Sequence, residues 1–531
     1  MMTPSSDLFD LIQSMSAAER RAFTASIRKT GNADVLLLRV FTSIAKQRKY
    51  DETAITELFG DAPIARNFAA YKHHLYGLVV RFLTISAEGD QKHPSATELM
   101  QQASILYQRV LYEQSYKMII RARKAAERSE ELDVLYRSFA DERNLVVTRQ
   151  TGHFTGEDVK DACRRIDGEI QRVIGLMAEL AAVRDVQTRL FVDHTKVSQR
   201  FTSMEESRLW AESILNAPIM SDVSALGTDT AKQLWYHAHI IALSVYDNQY
   251  ESAFSYAMGL VNLFENNPDR LRSFGLNYLR SVATASTIAI WVGRNEVVRD
   301  CIHKLRNGAE LFGFVRTEAV NRFDLQSWIY EGALREDLLD IANLDAYVDG
   351  ALDAIERYGS HERAYDEHQI QVYCISLLMI AERWDQAADL CATALADRRS
   401  TSLYSTVLLK TMLCVLQILR GNDDLAESMA TSCLRTIRKN PEMLRSSQLF
   451  LRMIRKWLSA CTPTERYRLI QDYLCEEQAL VNEIEGHHQQ RVYLNSTHII
   501  WARAQAAHVR MVEAAQNVST GMPTTVERQP Q

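Results

Sequence analysis

The segment Tyr246–Ala253, YDNQYESA, joins the end of one predicted helix to the start of the next and decides the fold of this chain. It passes from an aromatic residue through a polar tight turn and then restarts with small or apolar residues at helical spacing. The same pattern recurs in the segments Leu111–Tyr116, Trp291–Glu296, Ala381–Ala387 and Leu419–Ala426. Recurrence of this kind is typical of helical-repeat architectures. We therefore predict a chain built from successive helix pairs.

The spacing of these segments indicates the size of the repeat. When Ser115, Ala253, Val298, Ala387 and Ala426 are taken as equivalent, the intervals are 138, 45, 89 and 39 residues. The first interval divides into three steps of 46 residues and the third into two steps of about 44. One helix pair per repeat fits this period, and stacked pairs cover one another's apolar faces.

The composition excludes the other fold classes. Among 531 residues there are 20 glycines and 9 prolines, too few for the tight turns of an all-β fold or for a glycine-rich nucleotide-binding fold. Hydrophobic residues make up 47% and charged residues 24%, so the chain is neither disordered nor fibrous. We expect an all-α protein.

Three helix starts carry a family resemblance: Tyr250–Ala257, Trp384–Cys391 and Asp424–Ala430. They are similar to the second helix of tetratricopeptide repeats, in which a small residue lets paired helices approach closely. The resemblance covers about residues 100–480. It implies an α-solenoid of antiparallel helix pairs, wound into a right-handed superhelix with a long concave surface. The layout also resembles uncharacterised bacterial proteins that carry a small helical head before degenerate repeats.

Four regions are predicted along the chain. Five amphipathic helices form an N-terminal helical head over residues 1–88, and the polar stretch 89–96 reads as a linker. The repeat solenoid follows over residues 97–515. Residues 516–531 are polar and are predicted to be a disordered tail.

The sequence contains none of the motifs that commonly carry enzyme chemistry. No phosphate-binding glycine loop, no GxSxG elbow and no HExxH zinc helix is present, and the eight cysteines are scattered. His237 and His239 are two residues apart, which places them on different sides of a helix and prevents them from sharing a metal ion. We expect no catalytic residues, no metal and no cofactor, and thus a protein that is not an enzyme.

One electrostatic feature is prominent near the C-terminus. Nine basic residues and two acidic residues lie between Arg435 and Arg468. We name the basic stripe by the four residues that share one helical face: Arg445, Arg452, Arg455 and Lys456. The basic stripe is a candidate site for an acidic protein segment or for nucleic-acid phosphate. The alternative is a solvated face, or a face that pairs with acidic residues of the next helix.

The head offers a second candidate site. Two helices joined near Gly60–Pro63 have a helix-turn-helix outline, and the possible DNA contacts on the second helix are Arg66, Asn67, Lys72 and His73. Up to Arg81 the head has eleven basic and eight acidic residues, a nearly balanced charge that favours a packing role instead.

Together these features predict a non-enzymatic protein–protein interaction scaffold or adaptor, which binds a protein or peptide on its concave helical-repeat surface. A transcriptional regulator with a DNA-binding head and a repeat sensor domain is the alternative, and nucleic acid is the less favoured partner. The formal net charge is −6, and the chain has neither a signal-like N-terminus nor an apolar stretch of membrane-spanning length. We therefore expect a cytoplasmic protein that does not bind membranes.

Overall fold

A computed structural model describes most of the chain. The described residues are 7–15, 17–28, 35–47, 50–59, 67–89, 94–148, 159–194, 204–267, 271, 274–313, 318–358, 364–396, 403–437, 445–483, 497–507 and 511. The predicted tail at 516–531 lies outside them, as do residues 90–93 of the predicted linker.

Most of the described residues are helical and none of them lies in a strand, which confirms the predicted all-α class. The first nine helices are α1 Asp7–Ser14, α2 Ala17–Arg28, α3 Val35–Ala45, α4 Glu52–Phe59, α5 Phe68–Gly89, α6 Ala96–Gln108, α7 Tyr112–Ser129, α8 Leu132–Val147 and α9 Val159–His194. The next seven are α10 Met204–Leu215, α11 Asp229–Ile241, α12 Tyr250–Glu265, α13 Gly275–Trp291, α14 Asn295–Phe312, α15 Glu318–Leu338 and α16 Leu344–Tyr358. The last seven are α17 Ala364–Ile380, α18 Trp384–Ala396, α19 Leu403–Leu419, α20 Asp423–Ile437, α21 Arg445–Ser459, α22 Pro463–Glu483 and α23 Thr497–Ala507. No described helix has both the length and the apolarity needed to cross a bilayer.

The chain forms two compact units, one of residues 1–127 and 133–170 and the other of residues 128–132 and 171–531. In the first unit, helices α1 to α5 share a hydrophobic core. Phe23 lies at its centre, with ring centroids 4.7 Å from Phe41 and 5.3 Å from Phe82. The helices of the predicted head therefore bury one another's apolar faces.

The second unit is built of helix pairs that pack in sequence. Each odd-numbered helix from α11 to α21 packs against the even-numbered helix that follows it, and each pair packs against the next. We call α11, α13, α15, α17, α19 and α21 the first helices of the pairs. Consecutive first helices from α13 to α21 also contact each other directly. The result is an all-α, solenoid-like stack.

The five residues that are taken as equivalent in the sequence occupy the same position within their helices. Ser115, Ala253, Val298, Ala387 and Ala426 are each the fourth residue of a helix, and each is buried. In these five helices the residue is serine, alanine or valine, and a small or slender side chain allows a neighbouring helix to pack close to it.

Two intervals, from Ser115 to Ala253 and from Val298 to Ala387, are longer than one repeat. Other helices within them also have a buried fourth residue. Ala162 of α9 and Ser207 of α10 divide the first long interval into steps of 47, 45 and 46 residues, close to the predicted 46. Tyr347 of α16 divides the other into 49 and 40, which is less even than the predicted division. The repeat length therefore varies along the stack.

The recurrent turns share one backbone conformation. The residue two positions before the helix has a positive φ in all five segments, at Val110, Asn248, Gly293, Glu382 and Gly421. The next backbone N–H donates to a carbonyl five residues back, as in Arg294 to Ala289 at 2.8 Å, the pattern of a Schellman motif. In the turn that contains Asn248 the bond reaches six residues back, because a π-helical turn over Ala242–Tyr246 adds one residue.

This conformation predicts opposite effects for two substitutions. Val110 is 66% exposed and holds φ at 65°, which is strained for a β-branched side chain, so Val110→Gly should raise the free energy of unfolding by about 1 kcal/mol. Gly421 has a φ of 75°, and no atom lies within 4 Å of the position of an added Cβ. Gly421→Ala should therefore lower the free energy of unfolding by about 1 kcal/mol, because alanine is strained at a positive φ. Urea unfolding followed by circular dichroism measures both. Changes of the same sign would contradict the shared turn.

Candidate functional site

A cleft of about 320 Å³ opens between the first helices α13 and α15. It is lined by Leu276, Arg280, Ala283, Thr284 and Thr287 of α13, and by Ala319, Arg322, Phe323, Gln326 and Tyr330 of α15. Within each helix these residues recur every three or four positions, so they form one face. The volume is near the lower end of the range of about 300 to 1,000 Å³ that is typical of ligand pockets.

Two arginines give the cleft a positive charge. Arg280 is exposed and has no acidic partner among the described residues. Arg322 is 56% exposed, and its Nε lies 3.3 Å from Oδ2 of the buried Asp366 on α17. The carboxylate of Asp366 balances only one of the two positive charges, so the two guanidinium groups together favour an anionic ligand group.

The rest of the lining is uncharged and supplies hydrogen bonds. The hydroxyl groups of Thr287 and Tyr330 lie 3.3 Å apart. Burial raises the pKa of Tyr330 to about 12, although the hydrogen bond from Thr287 lowers it and Asp366 raises it further. The tyrosine is therefore a neutral hydroxyl at physiological pH, able to donate or accept a hydrogen bond.

His237 of α11 is a partly buried neighbour of Arg280. Burial lowers the pKa of this histidine to about 4, and the positive charge of Arg280 lowers it further. Its Nε2 is buried and has no hydrogen-bond partner among the described residues. His237 is therefore neutral at physiological pH, and Arg280 carries the positive charge at this end of the cleft.

The lining of the cleft combines charged, polar and apolar groups. The described lining contains no carboxylate, cysteine or histidine that would activate Thr284 or Thr287 as a nucleophile. It instead combines two cationic groups, neutral donors and the apolar side chains of Leu276 and Phe323. Such a surface can hold an anionic group that is attached to an apolar one.

The basic stripe lies on α21, as the sequence predicts. All four of its residues, Arg445, Arg452, Arg455 and Lys456, are exposed, while Phe450 and Ile454 on the other side of the helix are fully buried. In the described part of the chain, Arg452, Arg455 and Lys456 make no ion pair. The predicted pairing with acidic residues of the next helix is therefore not seen for these three.

The candidate DNA contacts of the head are not equivalent. Arg66 lies outside the described residues, whereas Asn67 and His73 are exposed. Lys72 is only 12% exposed, and its Nζ lies 2.6 Å from Oε2 of Glu52. The ammonium also contacts the rings of Tyr50 and Phe68 at 5.7 and 5.6 Å. Lys72 thus takes part in the internal packing of the head.

The aromatic residues around α11 belong to the interior. Tyr246 is fully buried, and its hydroxyl donates to the carbonyl of Leu190 at 2.8 Å. His239 stacks on Tyr256 with ring centroids 4.9 Å apart and contacts Trp235 at 3.8 Å. These contacts stabilise neighbouring helices.

No family model matches this chain, and no curated protein sequence matches it. The class of the protein therefore comes from its fold: an all-helical chain whose helices pack in neighbouring pairs, compatible with a helical-repeat fold.

The cleft itself was not predicted from the sequence. Arg280 is the sixth residue of α13, and Arg322 is the fifth residue of α15. Alignment of the first helices of successive pairs would have placed these two arginines side by side. The small residues that reveal the repeat in the sequence lie on other helices, such as α12 and α18.

Proposed function

We propose that this chain is a non-enzymatic interaction scaffold, similar to tetratricopeptide-repeat proteins, that binds a protein or peptide along the first helices of its pairs. The cleft between α13 and α15 is the observation that carries this proposal. Grooves between packed helices accept extended or helical peptides, and the side chains that line them set the specificity. The cytoplasm is the compartment that we expect for this function.

The charge of the cleft indicates the kind of partner segment. Arg280 has no acidic partner among the described residues. Arg322 pairs with Asp366, with 3.3 Å between its Nε and Oδ2 of the carboxylate. An acidic side chain of the partner supplies the missing negative charge, and an adjacent apolar side chain packs on Phe323. Electrostatic attraction of this kind weakens as the salt concentration rises.

The proposal is tested by recovering the tagged protein from its native cells at low and at high salt and identifying bound proteins by mass spectrometry. We expect a stoichiometric protein partner, and we expect Arg280→Glu to reduce its recovery at least about tenfold by placing a negative charge in the cleft. Because Arg280 makes no ion pair with any residue that the structure describes, this substitution removes no described ion pair.

Arg452→Glu is the matched control, since Arg452 is also an exposed arginine of a first helix and makes no ion pair with any residue in the described part of the chain. Recovery that is unchanged by Arg280→Glu but lost with Arg452→Glu would move the binding site to the basic stripe. Recovery dominated by nucleic acid would favour the DNA-binding alternative. That alternative has weaker support, because Lys72 is paired with Glu52.

A further inference from the structure

The last described helix, α23, lies across several earlier helices. It contacts α17, α19 and α22. The ring of Trp501 in α23 is 5.9 Å from the ring of Phe450 and 5.9 Å from that of Trp457, both of α21. A helix that simply extended the stack would contact the pair before it. Helix α23 contacts that pair, α21 and α22, and in addition reaches α17 and α19, the first helices of two earlier pairs.

Helices α17, α19, α21 and α22 together form a groove that holds α23, and we call it the α23 groove. The groove contacts α23 on more than one side. Ile500, Trp501, Ala502 and Ala504 are all buried, and consecutive positions of a helix point in different directions. The helix has eleven residues, a length that is marginally stable in isolation. Its stability therefore comes from the groove, as for a bound peptide helix.

Several buried polar groups lie on α21, α22 and α23. The buried indole nitrogens of Trp501 and Trp457 and the amide nitrogen of Gln471 have no hydrogen-bond partner among the described residues. Burial also lowers the pKa of Arg503, although Tyr473 and Glu477 counteract this effect. Unsatisfied polar groups reduce the free energy gained on burial. Trp501 is the largest buried apolar side chain of α23 and is therefore its main apolar anchor in the groove.

We propose that α23 is a ligand of this chain's own groove, and that the groove binds a short apolar helix with a tryptophan anchor when such a helix is supplied by another molecule. The chain that joins α22 to α23 keeps the internal helix at a high effective concentration, so the intact protein excludes external helices. The groove and the α13–α15 cleft are lined by different helices, so this inference can fail without the proposed function failing.

The test uses the full chain with a specific protease site placed within residues 484–496, so that cutting removes the tether but leaves every residue present. A fluorescent peptide of residues 495–513 is the probe, and anisotropy measures its binding. We expect it to bind the cut protein at least about tenfold more tightly than the uncut protein, because its competitor is then no longer tethered. The same peptide with Trp501→Ala should bind at least about a hundredfold more weakly.

Circular dichroism of the cut protein completes the test. A helical signal that stays the same after cutting and after exchange of the peptide supports a ligand that is separable from its groove. Loss of helix or aggregation on cutting would show that α23 is an integral part of the stack and would overturn the proposal. It would be overturned equally by a cut protein that stays folded but does not bind the peptide, or by equal affinity for the Trp501→Ala peptide.

Discussion

We expect Gly332→Ala to lower the free energy of unfolding by about 2 kcal/mol, the cost of overpacking a well-filled interior. Gly332 lies at the point where α15 meets α16 and α17. An added Cβ would clash with the hydroxyl of Tyr347 and would lie 2.7 Å from the Cβ of Tyr373. The Tyr347 hydroxyl is held in place because it donates to the carbonyl of Trp328 at 3.0 Å. Relief of the clash therefore requires movement of the helices themselves.

Gly175→Ala is the matched control, because Gly175 also lies within a helix but has no atom within 4 Å of the position of an added Cβ. There the same substitution should raise the free energy of unfolding by about 0.5 to 1 kcal/mol, since alanine loses less backbone entropy than glycine. Urea unfolding followed by circular dichroism compares the two variants with the wild type. Stabilisation in both would show that α15, α16 and α17 do not pack as closely as described.

Glu336→Gln should remove a pH-dependent loss of stability. The pKa of Glu336 is raised to about 7, mainly by burial. The hydrogen bond from Ser376 lowers the pKa and the negative charge of Asp337 raises it, and both effects are smaller than that of burial. A carboxyl group whose pKa is higher in the folded state than in the unfolded state destabilises the fold as it loses its proton. The loss begins near the ordinary pKa of 4.5 and is complete above about pH 7. Its full size is about 3 kcal/mol.

Unfolding in urea at several pH values between 4 and 8 measures this effect as the difference between the variant and the wild type. The difference should be small at pH 4 and should grow to about 3 kcal/mol in favour of Glu336→Gln at pH 8. Glu356→Gln on the neighbouring helix α16 is the control, because Glu356 is exposed. That variant should differ little from the wild type at every pH. A difference for Glu336→Gln that does not vary with pH would contradict the assigned pKa.

The helices and their turns could be predicted from the sequence because both depend on residues close together in the chain. The five aligned residues all occur as buried fourth residues of helices. Even the first long interval, between Ser115 and Ala253, is divided almost as predicted, by Ala162 and Ser207. The repeats that begin at α9 and α10 were not recognised in the sequence because they lack the turn pattern of the other repeats. Helix α9 runs for 36 residues without a turn, and α10 follows a segment with none of the recognised patterns.

The candidate sites differ in how far the sequence could reveal them. The basic stripe was predictable because Arg452, Arg455 and Lys456 share one face of a single helix. The cleft was not, because Arg280 and Arg322 are 42 residues apart and lie on different helices. The paired state of Lys72 was equally hidden, since Glu52 lies on another helix of the head.

By itself, the sequence determined the all-α class and the recurrence of helices joined by tight turns, because helical periodicity and turn formation act over a few residues. The tertiary structure alone decided which side chains meet between repeats: the two arginines of the cleft, the contact of Gly332 with Tyr347, and the placement of α23 against α17, α19 and α21. Those contacts depend on how much each helix pair rotates relative to the next. Packing of whole helix faces sets this rotation, and no short segment of sequence encodes it.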